Sequence, residues 1–407
     1  MRPAAMTDVT SVVDWLMDGA RSGVRSEDVM AQLCARLVGC GIPLWRAAVF
    51  VNTLHPDVVG RGFVWRPDSN VAILEAKFSM LDSEEFQNSP VVAVKASGRP
   101  MRRHLAASDC PDDFPILREL RAAGATDYAV FPLRFGDETI HVASWSTRQP
   151  GGFMPAQFAA LESVMLPLTR VAEIRALRRT AGNLLNTYVG RQSGERVLAG
   201  RIRRGYVEDI RATIWLSDMR GFTALSERLP PQALVDLLNR YFDCQVPAIL
   251  DHGGEVLKFM GDGLLAIFPL ASGDEVSAVC RRALACARQA QARVDALDMP
   301  VGIAANAIRF GLALHVGQVL YGNIGGGDRL DFTCIGPAVN LAARLEKVAA
   351  TLGRAIVASR EFASRLPQEF TPLGEFSVAG FAAPQMVFGL PEPSTEGTSA
   401  SDGVAGS

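Results

Sequence analysis

The sequence predicts an α+β protein of two domains joined by a helical linker, and three observations carry that reading. The chain has 407 residues, too many for one ordinary core, so two domains are expected. Strand-like and helical apolar patterns occur in both halves. Between the halves, one long stretch repeats its apolar residues every three or four positions, as a helix does.

The first part, residues 1–175, opens on a helical pattern at Val29, Leu33 and Leu37, then passes to a strand-like run from Arg46 to Leu54. Further strands are expected at Asp127–Leu133 and Ile140–Trp145, with a polar, Pro- and Gly-containing middle. In its order of elements this α/β module resembles a GAF-like sensory domain, which implies an unidentified small-molecule or protein signal. From Pro155 to about Thr187 the apolar positions are Phe158, Leu161, Met165, Leu168, Val171, Ile174 and Leu177, with Arg175, Arg178 and Arg179 on the polar side. Pro167 is expected to kink this helix. Two readings stand: a helix packed on its own domain, or a two-chain connector. Residues 176–205 then form a helical transducer, 206–390 a second domain, and 391–407, rich in Ser, Gly, Thr and Pro, a disordered tail.

Composition narrows the partners. Hydrophobic residues make up 48% and charged residues 21% of the chain, as in ordinary globular proteins. The net charge of −2 argues against a nucleic acid partner, though not against a single nucleotide. Seven scattered cysteines without a Cys-x-x-Cys pair exclude a disulfide framework and a zinc knuckle. His55, His104 and His141 lack metal-ligand spacing. Asp8 and Asp14 interrupt any secretory signal. The uncharged stretch Phe310–Gly327 contains six glycines and alternates, so it reads as strand and turn. No membrane span and a cytoplasmic location are expected.

Three motifs in the second half carry chemistry. Thr213-Ile-Trp-Leu-Ser-Asp218 is an apolar strand ending in a carboxylate, and Met219-Arg-Gly-Phe-Thr223 is a turn opening a helix. Amides at a helix start receive anions, and the carboxylate beside them can hold a phosphate-bound metal. Glu255–Phe268 contains two apolar runs around Asp262-Gly263, a hairpin signal that puts Asp262 at the tip and Lys258 on the incoming strand. Two carboxylates meeting at one point repel unless a cation separates them, so Asp218 and Asp262 suggest a divalent metal. In Asp331–Glu346, the residues Leu341, Leu345 and Val348 fit a buried helical stripe, while Asn340 and Arg344 share another face. Each motif alone also has a bland reading: a strand-to-helix turn, turn geometry, a polar helix face.

Taken together, Asp-Met-Arg-Gly-Phe-Thr, Lys-Phe-Met-Gly-Asp and Cys-Ile-Gly-Pro-Ala-Val-Asn-Leu-Ala-Ala-Arg resemble, in order and spacing, the class III adenylyl/guanylyl cyclase catalytic domain. The resemblance covers about residues 195–390 and implies a ferredoxin-like βαββαβ core working as a head-to-tail homodimer. It implies that Asp218, Asp262 and the Met219 carbonyl hold two Mg²⁺ or Mn²⁺ ions, and that the amides of Gly221, Phe222 and Thr223 receive the triphosphate. The partner protomer would bring Lys258 and Thr333 to the purine, and Asn340 and Arg344 to the ribose and the α-phosphate region.

Base choice follows from donors and acceptors. Lysine donates to adenine N1, whereas guanine N1 is itself a donor and calls for an acceptor, so the resemblance implies ATP over GTP. Thr333 stands where many members carry Asp. The family's Lys-Gly near the domain end is absent from Phe376-Ser-Val-Ala379-Gly380, and Arg329 is the candidate to replace that lysine. The rivals are a guanylyl cyclase and a catalytically silent cyclase-like module.

Overall fold

The computed structural model describes residues 8–299, 303–304, 307–327 and 329–391. Beyond Pro391, the expected disordered tail lies outside the described residues. Two compact units divide the chain, Met1–Thr187 and Tyr188–Ser407.

The N-terminal unit is built on a six-stranded sheet in the order β3-β2-β1-β6-β5-β4. Its strands are β1 (Arg46–Asn52), β2 (Val58–Trp65), β3 (Ala72–Lys77), β4 (Met101–Arg103), β5 (Asp127–Arg134) and β6 (Ile140–Thr147), and every neighbouring pair is antiparallel. Strand alternation sorts β1 onto two faces. Ala47, Val49 and Val51 join Phe63, Phe131 and Trp145 in a core covered by helices α1 (Thr10–Met17), α2 (Ser26–Gly39) and α6 (Pro155–Val189). On the other face α4 (Pro90–Ser97) and α5 (Pro115–Ala122) cover a second cluster, and the short α3 (Glu84–Gln87) precedes them. There Arg46, Phe50, Asn52 and Lys95 line a cavity of about 720 Å³. Helix α6 runs unbroken through Pro167, whose ring is buried. Packing of that ring offsets the one backbone hydrogen bond it deletes.

The C-terminal unit opens with α7 (Arg191–Leu198) and continues as β7 (Val207–Arg220), α8 (Phe222–Ser226), α9 (Pro231–Asp251), β8 (Glu255–Met260), β9 (Gly263–Pro269), α10 (Val276–Asp295) and β10 (Arg309–Gly326). Here β7 to β10 make the expected βαββαβ path, with antiparallel neighbours in the order β10-β7-β9-β8. Then come β11 (Arg329–Ile335), α11 (Pro337–Leu352), β12 (Ile356–Ser359), α12 (Arg360–Ala363), β13 (Thr371–Phe376) and β14 (Gln385–Gly389). Trp215, Leu264 and Phe268 face α9 and α10, whereas Ile214, Leu216 and Leu265 face Ala338 and Ala342 of α11. Phe310–Gly326 is strand, buried from Phe310 to Val316 and exposed at Gly325 and Gly326, and Gly327 is the turn, in keeping with the strand-and-turn reading. Among the described residues no helix is long and apolar enough to cross a membrane.

Two local expectations are corrected. β7 does not end at Asp218 but runs on to Arg220, because its pairing with β10 continues to Arg220↔Arg309. The helix behind the turn is then only five residues long. In the hairpin, Met260 pairs with Gly263, so the two-residue loop is Gly261-Asp262. Gly261 has φ +68° at the first loop position, where a II′ turn demands glycine.

Candidate active site

The register of the sheet brings the two carboxylates together. Ser217 of β7 pairs with Leu264 of β9, so Asp218 comes beside the hairpin tip that carries Asp262. Burial, then the Asp262 charge, then Glu346, raise the Asp218 carboxyl to about 6, while Arg220 pulls it down. Arg220 Nη1 lies 3.6 Å from Asp218 Oδ2, and its Nη2 pairs with Glu346 at 2.5 Å. The Tyr241 hydroxyl donates to the Asp218 carbonyl at 2.8 Å, fixing the strand where the acid emerges. The Met219 side chain is in the core, so only its backbone faces the corner. Hard carboxylate oxygens made mutually repulsive by burial are the donor set a divalent cation such as Mg²⁺ or Mn²⁺ neutralises. Among the described residues no group of three or more His, Cys, Asp or Glu is gathered as a metal cage.

Behind this corner Gly221 caps α8 with φ +93°. A Cβ there would sit 2.2 Å from the Ala307 carbonyl oxygen, so only glycine fits. The amides of Phe222 and Thr223 open the helix and have no partner within it. With so short a helix, an anion would be held by these amides rather than by a long macrodipole.

The base-reading candidates lie on β8 and β11, which touch without being hydrogen-bonded neighbours in the sheet. Lys258 on β8 is half-buried. Thr333 on β11 is 4% exposed, and its Oγ1 is buried without a hydrogen-bond partner. Between them the Cys334 thiol is raised to about 11 by burial, against the pull of the Lys258 cation. On α11, Leu341 and Leu345 are buried and Val348 packs at the edge of the same cluster. Asn340 is exposed and Arg344 half-buried one turn later. Within one chain no hydrogen bond or ion pair among the described residues ties Asn340, Arg344 or the exposed Arg329 to the Asp218–Asp262 corner. At the domain end Val378 is buried while Ala379 and Gly380 are exposed, and no cation stands there.

Three contributors were missed at the sequence level. Arg220 was legible in principle, because Asp-x-Arg on a strand puts both side chains on one face. Glu346 and Tyr241 reach the corner from helices distant in sequence, which no local pattern reveals.

With this geometry in place, the comparisons agree. Residues 207–390 match the family model described as the adenylate and guanylate cyclase catalytic domain. This segment belongs to that family: the C-terminal unit contains a nucleotidyl cyclase catalytic domain. Adenylate cyclase 1 of Rhizobium meliloti is 30% identical over 172 residues, 41% of this chain and 25% of the relative. The adenylate cyclase of Anabaena cylindrica is 32% identical over 177 residues, 42% of this chain and 34% of the relative. The chain thus matches only a quarter to about a third of the length of these curated relatives. The crystal structure of the adenylyl cyclase CyaB from P. aeruginosa is 27% identical, with a TM-score of 0.40 over 47% of this chain and 100% of that one.

Proposed function

We propose that the C-terminal unit is an adenylate cyclase converting ATP to 3′,5′-cyclic AMP and pyrophosphate at the interface of a head-to-tail homodimer. The observation that carries this reading is the meeting of Asp218 and Asp262, which the sheet register enforces. In the reaction the ribose 3′-oxygen forms a bond to the α-phosphorus, the bond from that phosphorus to the bridging oxygen breaks, and pyrophosphate leaves with the electron pair. The hydroxyl proton passes to water or to the departing pyrophosphate. When bound, two divalent ions supply charge neutralisation and a more acidic hydroxyl. Asp218, Asp262 and the Met219 carbonyl hold those ions, and the amides of Gly221, Phe222 and Thr223 take the triphosphate. From the partner protomer Asn340 orients the ribose, and Arg344 meets the charge that develops on the phosphate.

Lys258 and Thr333 select the base. The unpartnered Thr333 hydroxyl is an acceptor for the adenine exocyclic amine, and the Lys258 ammonium donates to N1. That hydroxyl can also donate to the guanine carbonyl, so secondary GTP use is the second reading. Residues 1–175 are regulatory, 176–205 carry the signal, and the enzyme works in the cytoplasm. The cavity of about 720 Å³ has the size of a small-molecule site, with Arg46 and Lys95 both shifted down by burial.

The test is product formation by purified protein with ATP or GTP and Mn²⁺ or Mg²⁺, with Asp262→Ala as the blank. Cyclic AMP from wild type alone is expected, and Lys258→Glu should move the preference toward GTP. No cyclic nucleotide from a dimeric wild type under any of these conditions refutes the reading.

A further inference from the structure

A second, much narrower site lies on the opposite face of the N-terminal sheet, where α2, β1, β2 and α6 enclose a slot of about 50 Å³. Its walls are apolar: Val29 and Leu33, Val49 and Phe63, Leu168 and Val171. At its polar end is Arg179. Its Nη2 donates to Ser26 Oγ at 2.8 Å and its guanidinium lies over the Phe63 ring at 5.2 Å. Its Nη1 is buried with no acceptor.

Other groups at the slot do not answer that cation. Arg61 is paired with Glu75 at 2.6 Å, and Arg175 donates to the carbonyls of Gly23 and Val24. Thr53 Oγ1 accepts from Asn183, and Asn52 Oδ1 from Lys95. Among the described residues Arg179 has no carboxylate bonded to it. Burial, then the Arg61 and Arg175 charges, disfavour its cationic form, and the carboxylates of Glu27 and Glu75, neither bonded to it, offset this only in part. A buried guanidinium with an empty donor is costly, and the cost is relieved by a planar anion that accepts from it. The slot is too narrow for an aromatic or nucleotide ligand. Its walls beside Arg179 are Val, Leu and Phe side chains, which suit an alkyl chain and not the several oxygens of a phosphate.

We propose that this slot binds a short straight-chain aliphatic monocarboxylate, its carboxylate on Arg179 and Ser26 and its alkyl chain between α2 and α6. The ligand lies against the inner face of α6, the helix that leads out of the N-terminal unit. The inference does not depend on the cyclase reading.

Isothermal titration of the full-length protein with the acids from propanoate to hexanoate, and with the matching primary alcohols, tests it. Affinity for the acids should tighten about fourfold per methylene until the slot is full. The alcohols should bind roughly tenfold more weakly, since they lack the charge-assisted bond. Arg179→Gln, checked for folding by circular dichroism, should erase the difference between acid and alcohol. Should that variant not fold, Ala176→Leu fills the slot instead and should weaken both series. Acids and alcohols binding alike, no saturable binding of any acid, or undiminished acid binding by either folded variant would overturn the proposal.

Discussion

At the residue scale, the burial of His141 makes the N-terminal unit sensitive to acid. The ring is 3% exposed and lies against Phe135 with centroids 4.0 Å apart. The Asn52 backbone N–H donates to Nδ1 at 3.1 Å, and Nε2 lies 3.1 Å from Thr139 Oγ1. A proton on Nδ1 would face another donor. Burial, then the Lys95 charge, lower this histidine to about 4. Because the folded value is below the unfolded one near 6.5, His141 is neutral in both states above pH 6.5. As pH falls toward 4 the unfolded state takes up the proton first, and stability is lost. Urea unfolding of the N-terminal transition should show about 2 kcal/mol less stability at pH 5 than at pH 7 from this group. His141→Gln should flatten that difference, and an unchanged pH dependence in the variant would remove His141 as its source. Gly221 gives a second residue-scale expectation. Gly221→Ala meets the Ala307 carbonyl and positive φ together, so activity should fall at least tenfold while Asp218 and Asp262 stay in place. The meeting of Asp218 and Asp262 was legible because the strand end and the hairpin tip that carry them are both local patterns. Arg179 was read only as the polar side of a helix, since nothing in the sequence says that a slot opens beneath it.

At the element scale, the sequence showed which runs are strand or helix wherever one face is buried. Val29–Leu37 and Asp127–Leu133 follow from burial periodicity, the strand expected over Arg46–Leu54 stops at Asn52, and the hairpin follows from its turn signal with the loop one residue earlier. Where length depends on a distant partner, the local pattern stopped short. β7 outruns its apolar core because β10 pairs with it as far as Arg220, and no window around Asp218 contains β10. Helix α6 packs on its own unit along its first half, the first of its two readings. Leu161, Val164, Leu168 and Val171 are buried in its own unit. Ile174, Leu177, Ala181, Leu184 and Tyr188 follow a heptad spacing on the outside, with Leu177 62% and Tyr188 80% exposed. If the expected two-chain connector forms, an apolar a/d seam of this kind is where the two helices meet. Leu177→Glu should therefore shift the protein from dimer to monomer in sedimentation and lower cyclase activity in parallel. A dimer unaffected by the change would place the interface elsewhere.

At the scale of the whole molecule, the distribution of the site residues decides how many chains a site requires. Asp218 and Asp262 share one corner through the β7–β9–β8 register, whereas Asn340 and Arg344 lie on α11, and among the described residues no hydrogen bond or ion pair joins the two sets. Glu346, two residues beyond Arg344, instead reaches back to Arg220 beside Asp218. One helix thus braces the carboxylate corner of its own chain through Glu346, and among the described residues its Arg344 makes no bond to that corner. If each site is composite, Asp262→Ala and Arg344→Ala are each inactive as homodimers, yet complement when mixed. A mixed dimer pairs both defects in one site and leaves the other intact. With free subunit exchange, half of the dimers are mixed and each has one working site of two, so about a quarter of wild-type activity should return. The rate of cyclic AMP formation after mixing, with exchange verified by differently tagged chains, measures this. Full exchange without recovery would mean that Arg344 serves the carboxylates of its own chain, and the head-to-tail arrangement would have to be abandoned.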